Sequence, residues 1–495
     1  MAAGHGPVVR ALLRQRLTEA SRVLQPDVPA SDDLTELLRS LLIDVRAHPA
    51  EGRLWLLWTA VAGAYPTASQ IENTRRRIEL ADDGDLVKVF LAAALPDASY
   101  RGDWDHPMRI VEDSLLIDVN FCARYMHNTG IQRVVRRLVP ELLALARQEP
   151  VELVAWSNDG GAHRTLSPVE RLRVIDWDNV GGVDPGPDLN ERELVVPWRS
   201  RLLLPDVGER ALMSRLVALA EYSGNWVDVI GYDLIPIVSA DMVDGDESER
   251  GAHYLSMVKH SNRVFAISDS AAKEFTGFTS ALASQGLIGP QVESIPLPTG
   301  AMPQVDVDAP LAEVPLVLCV GSHEPRKNQD ALLFAAESLL REGLTFRIVF
   351  VGGGSKQNIL AFDRRVQRLR RKFGFDIESV RGLGDAELWR LFDEARFTAL
   401  LSLHEGFGLP VAESLALGTP VLTSNYGSLA EIAREGGCVM VDPRDDDAII
   451  EGMRAMLTDD ALIRRLRAEI GKAPSRTWAD YAADIWHRVE AGATA

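Results

Sequence analysis

The stretch FTALLSLHEGFGLPVAESLALGTPVLTS, residues 397–424, has the pattern of a strand, a turn, a short helix and a second strand. Its first seven residues are apolar enough for a buried strand. Pro410 suits the first turn of a helix, where no N–H is needed, and Gly418 suits the helix end. A strand that leads through a helix to a second strand is the repeating unit of a parallel α/β sheet. The stretch therefore predicts an α/β architecture.

The turn and the helix of this stretch each carry one glutamate, and we expect the two carboxylates to do different work. Glu405 lies in the turn, whereas Glu413 lies about one turn inside the helix. Gly406 and Gly408 leave backbone N–H groups uncovered, so a ligand can approach them closely. The first carboxylate suits hydroxyl groups, the uncovered amides suit phosphate, and the second carboxylate suits a ribose diol.

Short apolar runs alternate with amphipathic stretches on both sides of a proline-rich loop at residues 295–310. Before the loop, the candidate strands are SLLIDV, VELVAWS, RLLLP, WVDVIGY and RVFAIS. After the loop, they are PLVLCVG, FRIVFVGG, ESVRGLG, FTALLSL, TPVLTS and CVMVD. The alternation predicts two doubly wound α/β domains, residues 106–300 and 301–470, that face each other across a cleft. Ligands of such sheets bind at the carboxyl ends of the strands.

Helices are predicted before these two domains. Residues 1–105 have apolar positions at helical spacing, which predicts an N-terminal helical extension. The Pro, Gly and Asp content of residues 94–107 predicts a linker at the end of this extension.

The composition is that of a globular protein with an acidic excess. A net charge of -18 over 495 residues argues against binding through bulk positive charge, so no nucleic-acid partner is expected. The three cysteines, Cys122, Cys319 and Cys438, form no Cys-x-x-Cys pair, which predicts neither a disulfide framework nor a thiolate metal site. No apolar run of the sequence is long enough for a spanning helix. We expect a cytoplasmic protein, and a peripheral contact at the inner membrane face stays open.

A second cluster of candidate residues follows the first strand of the later domain. In VGSHEPRKNQD, residues 320–330, Gly321 allows a sharp turn. Arg326 and Lys327 follow beside the next helix, which Asn328 is expected to cap. Two adjacent cations near a helix N-terminus predict an anion-binding site. A salt-bridged loop would explain the same cations, but their position at a strand end favours the functional interpretation.

Three segments resemble the signature segments of retaining nucleotide-sugar glycosyltransferases of family 4, which have two Rossmann-like domains in the GT-B architecture. They are EGFGLPVAESLALGTPVLTSNYGSLAEI, VGSHEPRKNQDALLFAAESL and VRGLGDAELWRLFDEARFTALLSLHEGFG. HNTGIQRVVRRLV, residues 127–139, is similar to the loop and helix start that lie near the donor phosphates in such enzymes. Residues 471–495 include a segment that resembles the terminal helix that crosses back to the first domain. The resemblance does not extend to residues 1–105.

The resemblance implies a role for each candidate residue of the donor side. Glu405 would lie beside the donor sugar, and Arg326 and Lys327 would bind the diphosphate, so these three would act in the chemical step. Glu413 would hold the ribose hydroxyls. The remaining donor-binding residues would line the same site through backbone groups or small side chains: Gly130, Gly321, Ser322, Gly406, Phe407, Gly408 and Leu409.

One position departs from the family pattern. Many relatives have a His-Asp pair at a strand end where this chain has Tyr232 and Asp233. No role for a histidine is implied there, and Asp233 becomes a candidate for contact with the acceptor. No metal or other cofactor is expected, because the Asp-x-Asp pairs of the chain fall in segments predicted as loops or helix caps.

The sequence thus predicts a retaining glycosyltransferase that moves a hexose or deoxyhexose from a nucleotide diphosphate sugar to a hydroxyl acceptor. The acceptor would be a glycan, a lipid-linked saccharide or a small-molecule natural product. Two alternatives stay open: a nucleotide-sugar epimerase of the same fold, and a non-catalytic interaction protein that uses the helical extension. An oligomer formed through the N-terminal helices also stays open, as do the base and the sugar of the donor.

Overall fold

A computed structural model of the chain describes residues 6–49, 52–101, 104–128, 130–146, 149–180, 192–243, 245–300, 306–307, 310–473 and 475–491. Within these residues, a group of helices is followed by a nine-stranded sheet, a six-stranded sheet and a final helix. The helices before the first strand are α1 (Gly6–Leu24), α2 (Leu34–Ala47), α3 (Arg53–Ala62), α4 (Ala68–Leu80) and α5 (Leu86–Arg101).

The predicted linker at residues 94–107 is wrong over its first half, because α5 continues to Arg101. Pro96 lies inside this helix without ending it. Ala94 and Ala98, one turn apart, are buried in the core. Packing of this face therefore outweighs the hydrogen bond that a proline removes from a helix.

The first sheet has the strand order β1-β5-β4-β3-β2-β6-β7-β8-β9, and its strands are parallel except for β4. The strands are β1 (Met108–Glu112), β2 (Leu115–Asp118), β3 (Val151–Trp156), β4 (His163–Thr165), β5 (Leu194–Trp198), β6 (Arg201–Leu204), β7 (Trp226–Gly231), β8 (Arg263–Ala266) and β9 (Gln291–Ser294). The five strands predicted before the proline-rich loop correspond to β2, β3, β6, β7 and β8. Strands β1, β4, β5 and β9 were not predicted, because β4 and β9 are short and polar, β1 has charged residues, and Pro197 lies within β5.

Helices cover this first sheet. They are α6 (Asn120–Arg124), α7 (Gly130–Leu145), α8 (Pro168–Ile175), α9 (Met213–Tyr222), α10 (Ile235–Val238), α11 (Gly245–Val258) and α12 (Asp269–Ala283). Helix α7 buries Val134, Val135, Leu138, Val139 and Leu142. The 3.6-residue spacing of these apolar residues is that of one buried helix face.

The second sheet is entirely parallel and has the strand order β12-β11-β10-β13-β14-β15. Its strands are β10 (Leu316–Val320), β11 (Arg347–Val351), β12 (Ile377–Val380), β13 (Phe397–Leu400), β14 (Val421–Ser424) and β15 (Cys438–Val441). All six match the predicted runs. The strand order reverses between β10 and β13, and this switch point is where doubly wound sheets bind ligands.

The helices of the second half begin with α13 (Gln329–Arg341), α14 (Lys356–Phe373), α15 (Asp385–Glu394) and α16 (Leu409–Ala416). They continue with α17 (Gly427–Ala433), α18 (Asp446–Thr458), α19 (Asp460–Ile470) and α20 (Trp478–Ala491). Helix α20 packs along α7 beside the first sheet, with Tyr481 and Ile485 buried. The chain therefore returns to its first half after completing the second.

One continuous apolar core joins the N-terminal helices to the first sheet. Tyr65 packs against Trp55 of α3 and Trp156 of β3, and its hydroxyl donates a 2.8 Å hydrogen bond to the carbonyl of Val195 in β5. The extension thus shares its interior with the first half of the molecule. Among the described helices, none has both the length and the apolar character needed to cross a bilayer.

Candidate functional site

Two loops leave neighbouring strands at the switch point of the second sheet. Strands β10 and β13 pair in parallel, with Val317 beside Phe397 and Leu318 beside Thr398. Their carboxyl ends therefore open at the same edge of the sheet. The loop after β10 carries Arg326 and Lys327, and the loop after β13 carries Glu405. The topology brings the two predicted clusters together, although they lie far apart in sequence.

The carboxylate of Glu405 is buried between the two predicted cations. Its Oε2 lies 2.9 Å from Nη1 of Arg326, and its Oε1 lies 2.5 Å from Nζ of Lys327. The hydroxyl of Ser402 donates a 2.6 Å hydrogen bond to Oε1. Burial alone would raise the pKa of Glu405, but the charges of Lys327 and Arg326 prevail and lower it to about 2. Glu405 is therefore ionised and holds both cations in place.

We expect the difference in free energy of unfolding between the wild-type protein and a Glu405→Gln variant to become smaller as the pH is lowered. The folded-state pKa of Glu405 is about 2 and its ordinary value is 4.5, so the unfolded state binds this proton more tightly. The stabilisation by the ionised Glu405 carboxylate is complete at pH values above the ordinary pKa, and it is lost as the pH falls toward the folded-state pKa. Near neutral pH, removal of a buried partner costs roughly 3–5 kcal/mol. Urea unfolding from about pH 6 to about pH 3 would measure the narrowing.

The control for this experiment is Glu451→Gln, which removes an exposed carboxylate paired with Arg454. Its free energy of unfolding should follow that of the wild-type protein at each pH. A difference between the wild-type protein and Glu405→Gln that stays constant over the whole range would contradict the lowered pKa of Glu405.

A cavity of about 530 Å³ lies between the two halves of the molecule and contacts this cluster. Arg326 lines it from the second half, and Asp233 lines it from the loop after β7. Burial raises the pKa of Asp233 to about 6, against the lowering effects of the Ile235 backbone N–H and of the Arg326 charge. The acceptor candidate and one diphosphate candidate thus share one cavity.

His404 joins the two halves beside Glu405, and the sequence interpretation assigned it no role. Its Nε2 lies 2.6 Å from Oε1 of Glu274, and its Nδ1 lies 2.7 Å from Oγ of Ser239. The hydrogen bond with Glu274 raises the pKa of His404, although burial opposes the shift. The other oxygen of Glu274 accepts a 2.6 Å hydrogen bond from the backbone N–H of Leu234. In the sequence, the position of His404 next to Glu405 is the one signal that could have indicated its contacts with the first half.

The glycines of the loop after β13 allow close packing, between the two halves at Gly406 and within the second half at Gly408. A Cβ atom at Gly406 would lie 2.7 Å from the carbonyl oxygen of Tyr232 and 2.8 Å from Oδ2 of Asp233. Gly408 has a φ of +114°, which favours glycine, and a Cβ atom there would lie 2.4 Å from the Leu429 side chain. Phe407, between them, is buried in the core.

The remaining predicted residues lie on both sides of this loop. Gly321 forms the turn after β10, and the hydroxyl of Ser322 donates to the carboxylate of Glu324, which also pairs with Arg326. Asn328 occupies the N-cap position of α13 as expected, but its side chain makes no capping hydrogen bond. Its backbone is left-handed, with a φ of +51°, and its side-chain Nδ2 donates to the carbonyl of Pro443 instead.

A smaller cavity of about 380 Å³ lies on the far side of the loop and is lined by Leu409 and Glu413. Gly130, the first residue of α7, faces Leu409, the first residue of α16: a Cβ atom on Gly130 would lie 3.6 Å from Cδ1 of Leu409. Arg133 of α7 pairs with Glu413 across the cleft. Of the predicted residues, Asp233 and Arg326 line the larger cavity, and Leu409 and Glu413 line the smaller one. Glu405 and Lys327 line neither cavity, and Glu405 pairs with Arg326 at the edge of the larger one.

Within the described residues, no group of three or more His, Cys, Asp or Glu side chains is arranged to hold a metal ion.

Residues 308–474 match the family model described as glycosyl transferases group 1. The serotype-specific mannosyltransferase WbdA of Escherichia coli is 29% identical over 262 residues, which cover 51% of this chain and 32% of that protein. O-antigen chain mannosyltransferase B of Escherichia coli is 36% identical over 149 residues, which cover 29% of this chain and 37% of that protein. This chain therefore spans about a third of the length of these curated relatives.

The crystal structure of HepE from Anabaena, in complex with UDP and glucose, superposes with a TM-score of 0.53. The superposition covers 77% of this chain and 100% of that chain at 11% identity, so it shows only that the two chains share a fold. Residues 308–474 therefore contain a glycosyl transferases group 1 domain, and the chain has the two-sheet GT-B fold.

Proposed function

We propose that the protein is a retaining glycosyltransferase that moves a hexose from a nucleotide diphosphate sugar to a hydroxyl acceptor. One observation carries the proposal: Arg326 and Lys327 converge on Glu405 at the switch point, next to two cavities between the halves. Two cations held by a buried acid suit a leaving group that gains negative charge.

The donor is proposed to extend across both cavities, with residues 301–470 as the donor side and residues 106–300 as the acceptor side. Its ribose would bind Glu413 in the smaller cavity, and its sugar would lie near Asp233 in the larger one. The diphosphate would lie between them, where the N-termini of α7 and α16 meet at Gly130 and Leu409. The positive ends of two helices favour an anion at that point.

The proposed reaction needs no carboxylate nucleophile. The anomeric carbon–oxygen bond of the donor breaks, and the acceptor oxygen bonds to the same carbon from the face of the leaving group. The acceptor proton passes to the departing diphosphate. A unit charge pair at 4 Å contributes about 4 kcal/mol at an effective dielectric of 20, so Arg326 and Lys327 can supply much of the stabilisation. Glu405, ionised and hydrogen-bonded by three side chains, is a weak nucleophile.

Mannose is the first sugar to test, because two relatives of the chain are named as mannosyltransferases. The acceptor is proposed to be a glycan or a lipid-linked saccharide. HepE, which shares the fold, was crystallised with UDP and glucose. UDP-glucose is therefore the second donor to test.

Two experiments test the proposal. Thermal unfolding with GDP-mannose, UDP-glucose and dTDP-sugars should show a raised melting temperature for one donor, since a ligand at 100 times its Kd stabilises the folded state by about 2.7 kcal/mol. The donor identified should then be consumed only when an acceptor is present, with retained anomeric configuration. No stabilisation by any nucleotide sugar would refute the proposal.

The epimerase alternative differs in one measurable respect. An epimerase would convert the donor to a second nucleotide sugar in the absence of an acceptor, which chromatography of the nucleotide products would detect. The interaction-protein alternative is less well supported, because Arg326, Lys327, Glu405 and Glu413 are all present and the helical extension is packed into the core of the first half.

A further inference from the structure

An ion pair crosses the cleft at the residue proposed to bind ribose. Nη1 of Arg133 lies 2.5 Å from Oε1 of Glu413, and the two side chains are only 26% and 18% exposed. Arg133 lies one turn inside α7, which begins at Gly130, and Glu413 lies one turn inside α16, which begins at Leu409. The carboxylate expected to receive a ribose diol is therefore already engaged by a cation from the other half of the molecule.

The surroundings distinguish Arg133 from the neighbouring arginine of the same helix. Arg136 donates to the carbonyls of Arg173 and Tyr125, and its guanidinium lies 3.6 Å from the centre of the Trp177 ring. These contacts hold Arg136 within the first half. Arg133 instead reaches across the smaller cavity, and its guanidinium lies 5.9 Å from the centre of the Trp389 ring in α15.

We propose that Arg133 is a donor-binding residue that exchanges partners when a nucleoside diphosphate enters the cleft. The ribose hydroxyls replace Arg133 on Glu413, and the guanidinium turns to the diphosphate. The inference rests on the proposed function, because it takes a nucleoside diphosphate as the ligand.

The exchange follows from the cost of leaving a partly buried charge without a partner. Without ligand, the Arg133–Glu413 pair satisfies both groups. A nucleoside diphosphate brings a replacement for each of them: a diol for the carboxylate and an anion for the guanidinium. Arginine is well suited to phosphate, because its planar fork can donate two parallel hydrogen bonds.

This exchange predicts a different outcome for a ligand that carries only the diol. A nucleoside must separate Arg133 from Glu413 but offers no anion in return. The ion pair therefore weakens binding of the nucleoside. The phosphate groups of a nucleoside diphosphate instead replace Glu413 as the partner of Arg133. Removal of the Arg133 charge should weaken binding of the diphosphate while leaving nucleoside binding unchanged or stronger.

The test is isothermal titration of the full chain and its Arg133→Met variant with GDP and guanosine, and with UDP and uridine. For the base that the wild-type protein binds, the variant should lose at least about tenfold in diphosphate affinity, which corresponds to the loss of one charge-assisted contact. Its nucleoside affinity should stay equal or rise. Arg133→Lys, which keeps the charge, should retain more diphosphate affinity than Arg133→Met and provides a second reading if the methionine variant does not fold.

The control variant is Arg368→Met, which removes an exposed arginine of α14 and should leave both affinities unchanged. Equal losses for the diphosphate and the nucleoside in Arg133→Met would overturn the exchange, and so would an unchanged diphosphate affinity. In both cases nucleotide binding by the wild-type protein would leave the proposed function standing. Failure of the wild-type protein to bind either diphosphate would overturn the exchange, and it would overturn the proposed function as well if no nucleotide sugar raises the melting temperature.

Discussion

Lys327→Ala is expected to lower kcat by roughly a hundredfold or more, the scale seen when one preorganised donor is removed from a site of developing charge. Nζ of Lys327 is held 2.5 Å from Glu405 in a side chain that is only 10% exposed. A cation already fixed and shielded from water needs little reorganisation when the diphosphate departs. Initial rates with the donor identified by thermal unfolding, at saturating acceptor, would measure the effect.

Two further variants separate chemistry from folding in this experiment. Lys327→Arg keeps the charge next to Glu405 and should recover part of the lost rate. Lys372→Ala removes an exposed lysine at the end of α14 and should leave the rate unchanged. The melting temperature of Lys327→Ala must be recorded as well, because the variant removes one partner of a buried carboxylate. A kcat within threefold of the wild-type value would refute the role of Lys327.

Gly406→Ala is expected to lower kcat/KM by about a hundredfold, because a misplacement of about 1 Å near the reacting groups can cost that much. The new Cβ atom would lie 2.7 Å from the backbone oxygen of Tyr232, which cannot move aside like a flexible side chain. The loop must shift relative to the first half, and Glu405 moves with it. Steady-state kinetics with varied donor and acceptor would measure the loss.

The matched control is Gly353→Ala in the turn between β11 and α14. A Cβ atom at Gly353 would meet nothing within 4 Å, so this variant should keep its activity. Thermal unfolding of both variants would show whether Gly406→Ala acts through the site alone. Wild-type kinetics in Gly406→Ala would mean that the close approach to Tyr232 does not position the loop.

The architecture of the second half was predictable because its signals are local. FTALLSL became β13, and the helix that follows begins beside Pro410 and ends before Gly418, as their backbone preferences indicate. The four inner strands of this sheet are buried on both faces and give continuous apolar runs, which explains why they were found. The edge strands β12 and β15 are only partly buried. The edge strand β9 of the first sheet, with the sequence QVES, has no such run.

For the donor-side residues, the sequence predicted only that charged and glycine residues would lie at strand ends. Glu405, Arg326 and Lys327 were placed near a common ligand, but their direct pairing was not foreseen. The contacts of His404 with Glu274 and of Arg133 with Glu413 join residues 130 and 280 positions apart. The sequence contains no spacing rule that relates such distant positions.

By itself, the sequence determined the two α/β halves, eleven of the fifteen described strands and the loops that carry charged and glycine residues. These features depend on preferences that act over a few neighbouring residues. Only the tertiary structure shows which charges meet across the cleft. It pairs Glu405 with two cations, and it pairs Arg133 with Glu413. Such pairings depend on where separate helices and loops come to rest when the apolar core is packed, because electrostatic contacts form between groups that folding has already brought together.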